Sequence, residues 1–257
     1  MSTTTGAGAT RPRFLAVAAV LAAAVAVASC GGTGTGAGTT ASAPPPDAAS
    51  APTAASLQAQ FVDVIDRVSP AVVQIRTGVG LGSGVVFDGR GDVVTNAHVV
   101  VGSRTATVRL HDGRRVRASV VGVDRSNDLA VIRMAGASPS PARFADSAAV
   151  RVGDVALAIG NPLGLASSVT QGIVSVDRRV SEGNGVTLDS AIQTSAEINP
   201  GNSGGALVDL EGGVIGIPTL AALDPDLGDA QAPGIGFAIA SNRVTEVAKQ
   251  IIATAGG

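Results

Sequence analysis

Residues 72–110 read VVQIRTGVGLGSGVVFDGRGDVVTNAHVVVGSRTATVRL. Four short runs rich in β-branched residues lie within it: Val72–Ile75, Gly84–Phe87, Asp92–Thr95 and Ala106–Leu110. Gly and Asp-Gly punctuate the gaps, as in Phe87-Asp88-Gly89 and, just beyond, His111-Asp112-Gly113. Short apolar runs separated by turn residues predict strands joined by tight connections. The same texture continues outward through Val116–Val123, Leu129–Met134, Val155–Ile159 and Val169–Val176. It resumes at Ala191–Thr194, Gly205–Val208, Val214–Ile217 and Ile235–Ile239. About a dozen short strands without a βαβ rhythm predict an all-β sandwich or barrels. Helical spacing occurs only at the two ends of this region. Leu57, Phe61, Val64, Ile65 and Val68 predict a helix over 57–67, capped by Ser56 and stopped at Pro70. Val244, Val247, Ala248 and Ile251 share one face of a final helix opened by Ser241.

The rest of the composition narrows the function. Eighteen basic and 20 acidic residues in 257 give a net charge of −2, without the basic excess of a nucleic-acid binder. Trp and Tyr are absent and Phe occurs five times, so base-stacking platforms are not expected either. One cysteine excludes an intramolecular disulfide and a cysteine-rich zinc cage. No cofactor or metal is expected. Any imidazole chemistry must use His98 or His111.

The first 56 residues read as an address and a tether. Arg11 and Arg13 precede an apolar run from Phe14 to Ala28, too short to span a bilayer and suited to a signal peptide. The run ends Val27-Ala28-Ser29-Cys30, which resembles the lipobox of bacterial lipoproteins. That resemblance implies a signal peptide over 1–29, lipidation of Cys30 and a chain held on the extracytoplasmic face of the cell membrane. Gly, Thr, Ala and Pro dominate residues 31–55, so 30–56 is expected to be a disordered linker. Its reach is on the order of 25–30 Å. The folded part is then 57–257.

Three segments carry chemistry. Thr95-Asn96-Ala97-His98-Val99-Val100 places a histidine just after a strand. Ser126-Asn127-Asp128-Leu129 places a carboxylate just before one, and Gly201-Asn202-Ser203-Gly204-Gly205 surrounds a serine with glycines. A serine hydroxyl needs an adjacent base, and the imidazole needs a third group to fix its tautomer. Each motif alone has an ordinary structural explanation. Together, in the order His, Asp, Ser on an all-β chain, they point to nucleophilic catalysis. Among rivals, Asp112 sits in an Asp-Gly turn, Asp92 and Asp124 lack the Asn-Asp-Leu-Ala context, and no glycine flanks Ser195.

The stretches TNAHVV, NDLAVIRM, GNPLGL…SVTQGIVS and QTSAEINPGNSGGALVD resemble the HtrA/Deg family of trypsin-like serine proteases, over nearly all of 57–252. The resemblance implies two six-stranded antiparallel β-barrels of the chymotrypsin type, the first over about 70–140 and the second over about 150–240. His98 and Asp128 would come from the first barrel and Ser203 from the second. His98 would act as general base, Asp128 would orient it, and Ser203 would attack the scissile carbonyl. The N–H groups of Gly201 and Ser203 would form the oxyanion hole, with Asn199, Pro200 and Asn202 shaping that loop. Polypeptide substrates and a homo-oligomer, a trimer, are further implications. The family usually adds PDZ domains after the protease; the reading here is a lipoprotein form without them.

Glu197 stands six residues before Ser203, where a trypsin-like S1 pocket has its floor. An unpaired ionised carboxylate in an apolar pocket is costly. The expectation is therefore an outward or paired Glu197, with Ile198 and Ile217 as apolar wall and small aliphatic P1 side chains. Two other readings were weighed. An α/β-hydrolase orders its triad Ser, acid, His, and no histidine follows Ser203. A non-catalytic chaperone or scaffold on the protease fold would be favoured by a missing triad residue, and none is missing.

Overall fold

The computed structural model describes residues 53–78, 80–136, 138–161, 168–181, 187–199, 201–224 and 230–256. The expected signal peptide, Cys30 and nearly all of the expected linker lie outside the described residues. Helix α1 (Ala54–Val68) leads through a 3₁₀ turn into six strands. These are β1 (Val72–Arg76), β2 (Leu81–Val86), β3 (Asp92–Asn96), β4 (Thr105–Arg109), β5 (Arg115–Asp124) and β6 (Leu129–Met134). A one-turn helix, α2 (Ala97–Val100), follows β3. The second set is β7 (Val155–Gly160), β8 (Ser168–Ser181), β9 (Thr187–Thr194), β10 (Ala206–Val208), β11 (Val214–Asp224) and β12 (Ala230–Ala240). Helix α3 (Ser241–Ala255) ends the fold.

Each set closes into an antiparallel barrel, in the orders β1-β2-β3-β6-β5-β4 and β10-β11-β12-β9-β8-β7. Every expected strand is present. Two helix caps differ from expectation. Thr53, not Ser56, caps α1, its hydroxyl accepting the Ser56 N–H at 3.2 Å. Ser241 is the first helical residue rather than the cap, and its hydroxyl donates to the Ala145 carbonyl at 2.5 Å. Apolar periodicity located both helices; which hydroxyl caps an end depends on where the chain enters it.

Period-2 alternation sorts the apolar residues into three cores. One fills the first barrel with Val73, Ile75, Val93, Val108 and Ile132. Another fills the second with Ala158, Val174, Ile192, Leu207 and Ile215. The third lies between the barrels, where Val72, Val94 and Leu129 meet Leu157, Ile159 and Ile217. Both terminal helices feed this third core, through Val64 and Val68 of α1 and Val244, Val247 and Ala248 of α3. The site is built at the same seam.

Candidate active site

β3 delivers the histidine. Asn96 ends the strand in extended conformation and α2 starts at once. Ala97, Val99 and Val100 are buried, which leaves His98 the half-exposed side chain of that turn (50 % for the side chain). β3 pairs with β6 through Asn96 and Leu129, so Asp128 arrives beside α2. Asp128 adopts φ +50°, an uncommon conformation that Asp tolerates better than most residues.

That backbone is held from several directions. The Asp128 carbonyl accepts the Ala97 N–H at 3.0 Å and the Asn96 side-chain amide at 3.1 Å. Its carboxylate accepts the His98 backbone N–H at 3.1 Å and faces His98 Nδ1 at 2.9 and 3.1 Å. The Thr219 hydroxyl donates to Oδ2 at 2.5 Å. A carboxylate only accepts, so Nδ1 carries the imidazole proton and Nε2 is left as the acceptor. Asp128 is 6 % exposed, so the acid side of the pair is shielded from water while the imidazole stays half-exposed.

The preceding residues form a second brace. Asp124 accepts the Ser126 hydroxyl, the Asn127 N–H and the Asn127 side-chain amide. Burial raises the Asp124 carboxyl, but these hydrogen bonds outweigh it and hold it below its ordinary value. Arg243 of α3 donates from Nε to Asn127 Oδ1 at 2.9 Å.

The serine arrives from the second barrel on the turn before β10. Its carbonyl accepts the Ser83 N–H of β2 at 3.0 Å. Gly204 donates to the Pro218 carbonyl, next to Thr219. Gly204 has φ +80°, and a Cβ there would stand 2.3 Å from the Ser83 carbonyl oxygen and 2.6 Å from Thr95 Oγ1. Glycine is required here so that the Ser203 turn can lie on the strands of the other barrel. Thr95 and Asn96 lead directly into the His98 turn, so the fold gathers all three expected residues at one seam.

The oxyanion expectation meets a different arrangement. The Gly201 N–H donates to the Asn199 carbonyl at 2.6 Å and the Asn202 N–H to the same oxygen at 3.1 Å. Asn199 and Asn202 do shape the loop, the Asn199 N–H donating to Asn202 Oδ1. Pro200 lies outside the described residues. Glu197 has an exposed side chain, while its carbonyl accepts from Thr170 and Asn202. Ile198 and Ile217 are both buried. Ile198 is buried in the core of the second barrel and Ile217 in the core between the barrels. Ile198 lies on the loop after β9, and Ile217 lies on β11.

The rival residues have other work. Asp92 pairs with Arg133 at 2.7 Å, Asp112 with Arg114 at 2.7 Å, and the Ser195 hydroxyl accepts the Ile173 N–H. His111 is exposed at a turn. Two residues escaped the sequence reading. Thr219 sits in no recognisable motif, and only the second barrel's placement brings it to Asp128. Ser83 had a signal, a hydroxyl flanked by glycines inside a strand. It is fully buried, accepts the Asn161 N–H at 2.8 Å and donates to the Gly201 carbonyl at 2.6 Å. Among the described residues no cluster of three His, Cys, Asp or Glu is placed to hold a metal ion.

Residues 82–217 match the family model of the trypsin-like peptidase domain. The chain is 46 % identical over 175 residues to the probable periplasmic serine protease do/HhoA-like of Haemophilus influenzae. This chain belongs to the HtrA family of trypsin-like peptidases. It is also 49 % identical over 174 residues to periplasmic serine endoprotease DegP of Escherichia coli. Each alignment covers 67 % of this chain but only 37 % and 36 % of those HtrA relatives. The solved HtrA-type protease AlgW with tripeptide superposes at a TM-score of 0.68 and 41 % identity, covering 75 % of this chain and 63 % of that one.

Proposed function

We propose that this HtrA-family chain is a serine endopeptidase that works through His98, Asp128 and Ser203. The observation that carries the reading is the His98–Asp128 pair, closed at 2.9 Å and buried on its acid side, beside a serine turn hydrogen-bonded to Ser83 on β2 of the same barrel. His98 Nε2 takes the Ser203 hydroxyl proton as Oγ attacks the scissile carbonyl. Asp128 balances the imidazolium that forms. The proton then passes to the leaving amine, and an acyl-Ser203 remains. Water, deprotonated by the same imidazole, releases the acid and restores the serine. Thr219 positions Asp128 from the second barrel.

The oxyanion donors are the Ser203 and Gly201 N–H groups. For Gly201 this requires its N–H to leave the Asn199 carbonyl, a rotation of the preceding peptide while Ser83 keeps hold of the Gly201 carbonyl. An exposed Glu197 fits selection of small aliphatic P1 residues rather than Lys or Arg. The substrates are unfolded or damaged envelope polypeptides. The periplasmic relatives and the lipobox together support an envelope location with Cys30 lipid-anchored, and a trimer is the oligomeric form proposed.

The test is hydrolysis of unfolded casein beside Ser203→Ala, with fluorophosphonate labelling as a second readout. Ser203→Ala should lower kcat by roughly 10⁴–10⁶-fold and abolish labelling. Activity should rise with pH as His98 loses its proton, since only neutral imidazole accepts one. A loss under tenfold in Ser203→Ala would remove the serine from the nucleophile role.

A further inference from the structure

The outer wall of the first barrel carries a block of cations that the proposed catalysis does not use. β1, β4 and β5 are neighbours, and their registers align Gln74 with Arg109 and Arg115, and Arg76 with Thr107 and Arg117. Val73, Ile75, Ala106, Val108 and Ala118 point into the barrel core. Strand alternation therefore puts Arg76, Arg109, Arg115 and Arg117 on the outside. Arg76, Arg115 and Arg117 are exposed, and Arg109 is half-buried.

Two features set this block apart. Arg109 and Arg115 stand directly opposite each other, a like-charge cross-strand pair that destabilises a sheet. Arg67, Arg90, Arg114, Arg133, Arg143, Arg151 and Arg243 each meet a carboxylate, while Arg104 and Arg125, outside these three strands or at their ends, show no ion pair among the described residues. Among the described residues none of the four has an acidic partner, and Arg109 Nε is buried with no acceptor. Four uncompensated cations on one wall of a chain with net charge −2 make a strongly polarised molecule.

We propose that this wall is an electrostatic docking surface for an anionic lipid bilayer. Its shape decides among anionic partners. The barrel is closed, so β1, β4 and β5 offer no free edge to which an acidic peptide could add as a strand. The chain has no Trp or Tyr on which nucleic-acid bases would stack. A two-dimensional array of guanidinium groups instead matches a plane of anionic headgroups. Each basic residue held at such a surface raises partitioning about fivefold at low salt. The biological use rests on the proposed Cys30 anchor. The tether would keep every face of the domain near the membrane, and the arginine wall would select which face turns toward it.

The experiment uses the chain from residue 31 onward, which holds all twelve strands and three helices but neither leader nor lipid. Binding to sedimented vesicles is measured with phosphatidylcholine alone and with 30 % phosphatidylglycerol. The expected result is binding to the anionic vesicles only, lost at high salt. Arg109→Gln/Arg115→Gln/Arg117→Gln should weaken it by on the order of tenfold or more, with the casein-cleaving rate unchanged. A control with Arg67→Gln/Arg151→Gln, both paired arginines, should bind like the parent. Arg115→Glu alone should also weaken binding and covers the case in which the triple variant misfolds. Equal binding to neutral and anionic vesicles, or undiminished binding by a folded triple variant, would overturn the proposal. So would capture of polyglutamate without vesicle binding, which would assign the wall to acidic polypeptides. The vesicle readout needs no peptidase activity, so failure of the protease reading shows separately.

Discussion

His98 and Asp128 occupy one barrel, and every polar atom that aligns them already has a partner: backbone N–H, side-chain amide, imidazole and Thr219 hydroxyl converge on one aspartate. The Ser203 loop belongs to the other barrel and is bonded partly to itself. Its Gly201 N–H closes a turn onto Asn199, while Ser83 grips the Gly201 and Ser203 carbonyls from outside. The base half is therefore assembled before substrate arrives. In the serine half, the backbone is fixed but the Gly201 N–H, the proposed oxyanion donor, is spent inside the loop. A preorganised donor contributes to catalysis only if it is aimed where charge develops. Under the proposed mechanism the two halves divide the work: the first supplies the base, and the second holds the step that substrate must complete.

The largest break in this comparison is Asp128→Asn. It keeps the shape but turns an acceptor pair into a mixed donor and acceptor, favouring the wrong imidazole tautomer. The expected fall in kcat is about 10⁴-fold, with little change in KM. Steady-state kinetics on a chromogenic peptide measures it, and a fall below about tenfold would mean that the His98–Asp128 bond is ornamental. Thr219→Val sharpens the comparison, because Thr219 is the cross-barrel donor to the base half. Losing a hydrogen bond to a charged group should cost about 1.5–3 kcal/mol, or roughly 10–100-fold in kcat/KM. Reaction with a fluorophosphonate should slow in parallel. Arg243→Met is the smallest. It strips the donor from buried Asn127 Oδ1, which should lower stability by about 1–2 kcal/mol and Tm by roughly 2–8 °C. Calorimetry reads that shift, and kcat should change by only a few-fold.

Much of this was legible before any coordinates. Strands in these barrels are local objects, written in β-branched runs and glycine turns, so Val72–Ile75 or Leu129–Met134 announced themselves. The residues proposed as a triad stood out for another reason: each sits in a short motif whose neighbours constrain its backbone. Thr219 did not, since its contact arises only when β11 of the second barrel lies against Asp128 of the first. Ile198 and Ile217 are buried, one on the loop after β9 and one on β11, and proximity in sequence to the serine or to a pocket strand does not say which face of the chain a side chain takes. The Gly201 turn illustrates the same limit at the smallest scale. Two peptide orientations share one sequence, and hydrogen bonding selects between them.

The terminal helices cross over. α1 precedes the first barrel, yet Arg67 reaches the Glu211 carbonyl of the second, and Val68 lies beside Gly212. α3 follows the second barrel, yet Ile251 seats over Gly122 on the first, where a Cβ would stand 2.7 Å away. Each helix is thus a latch fastened on the module it does not belong to. Two sheets that are topologically independent become mechanically inseparable, and melting should proceed as a single cooperative event rather than barrel by barrel. Unzipping either latch would loosen the neighbour first, and with it the seam that holds the proposed base and nucleophile.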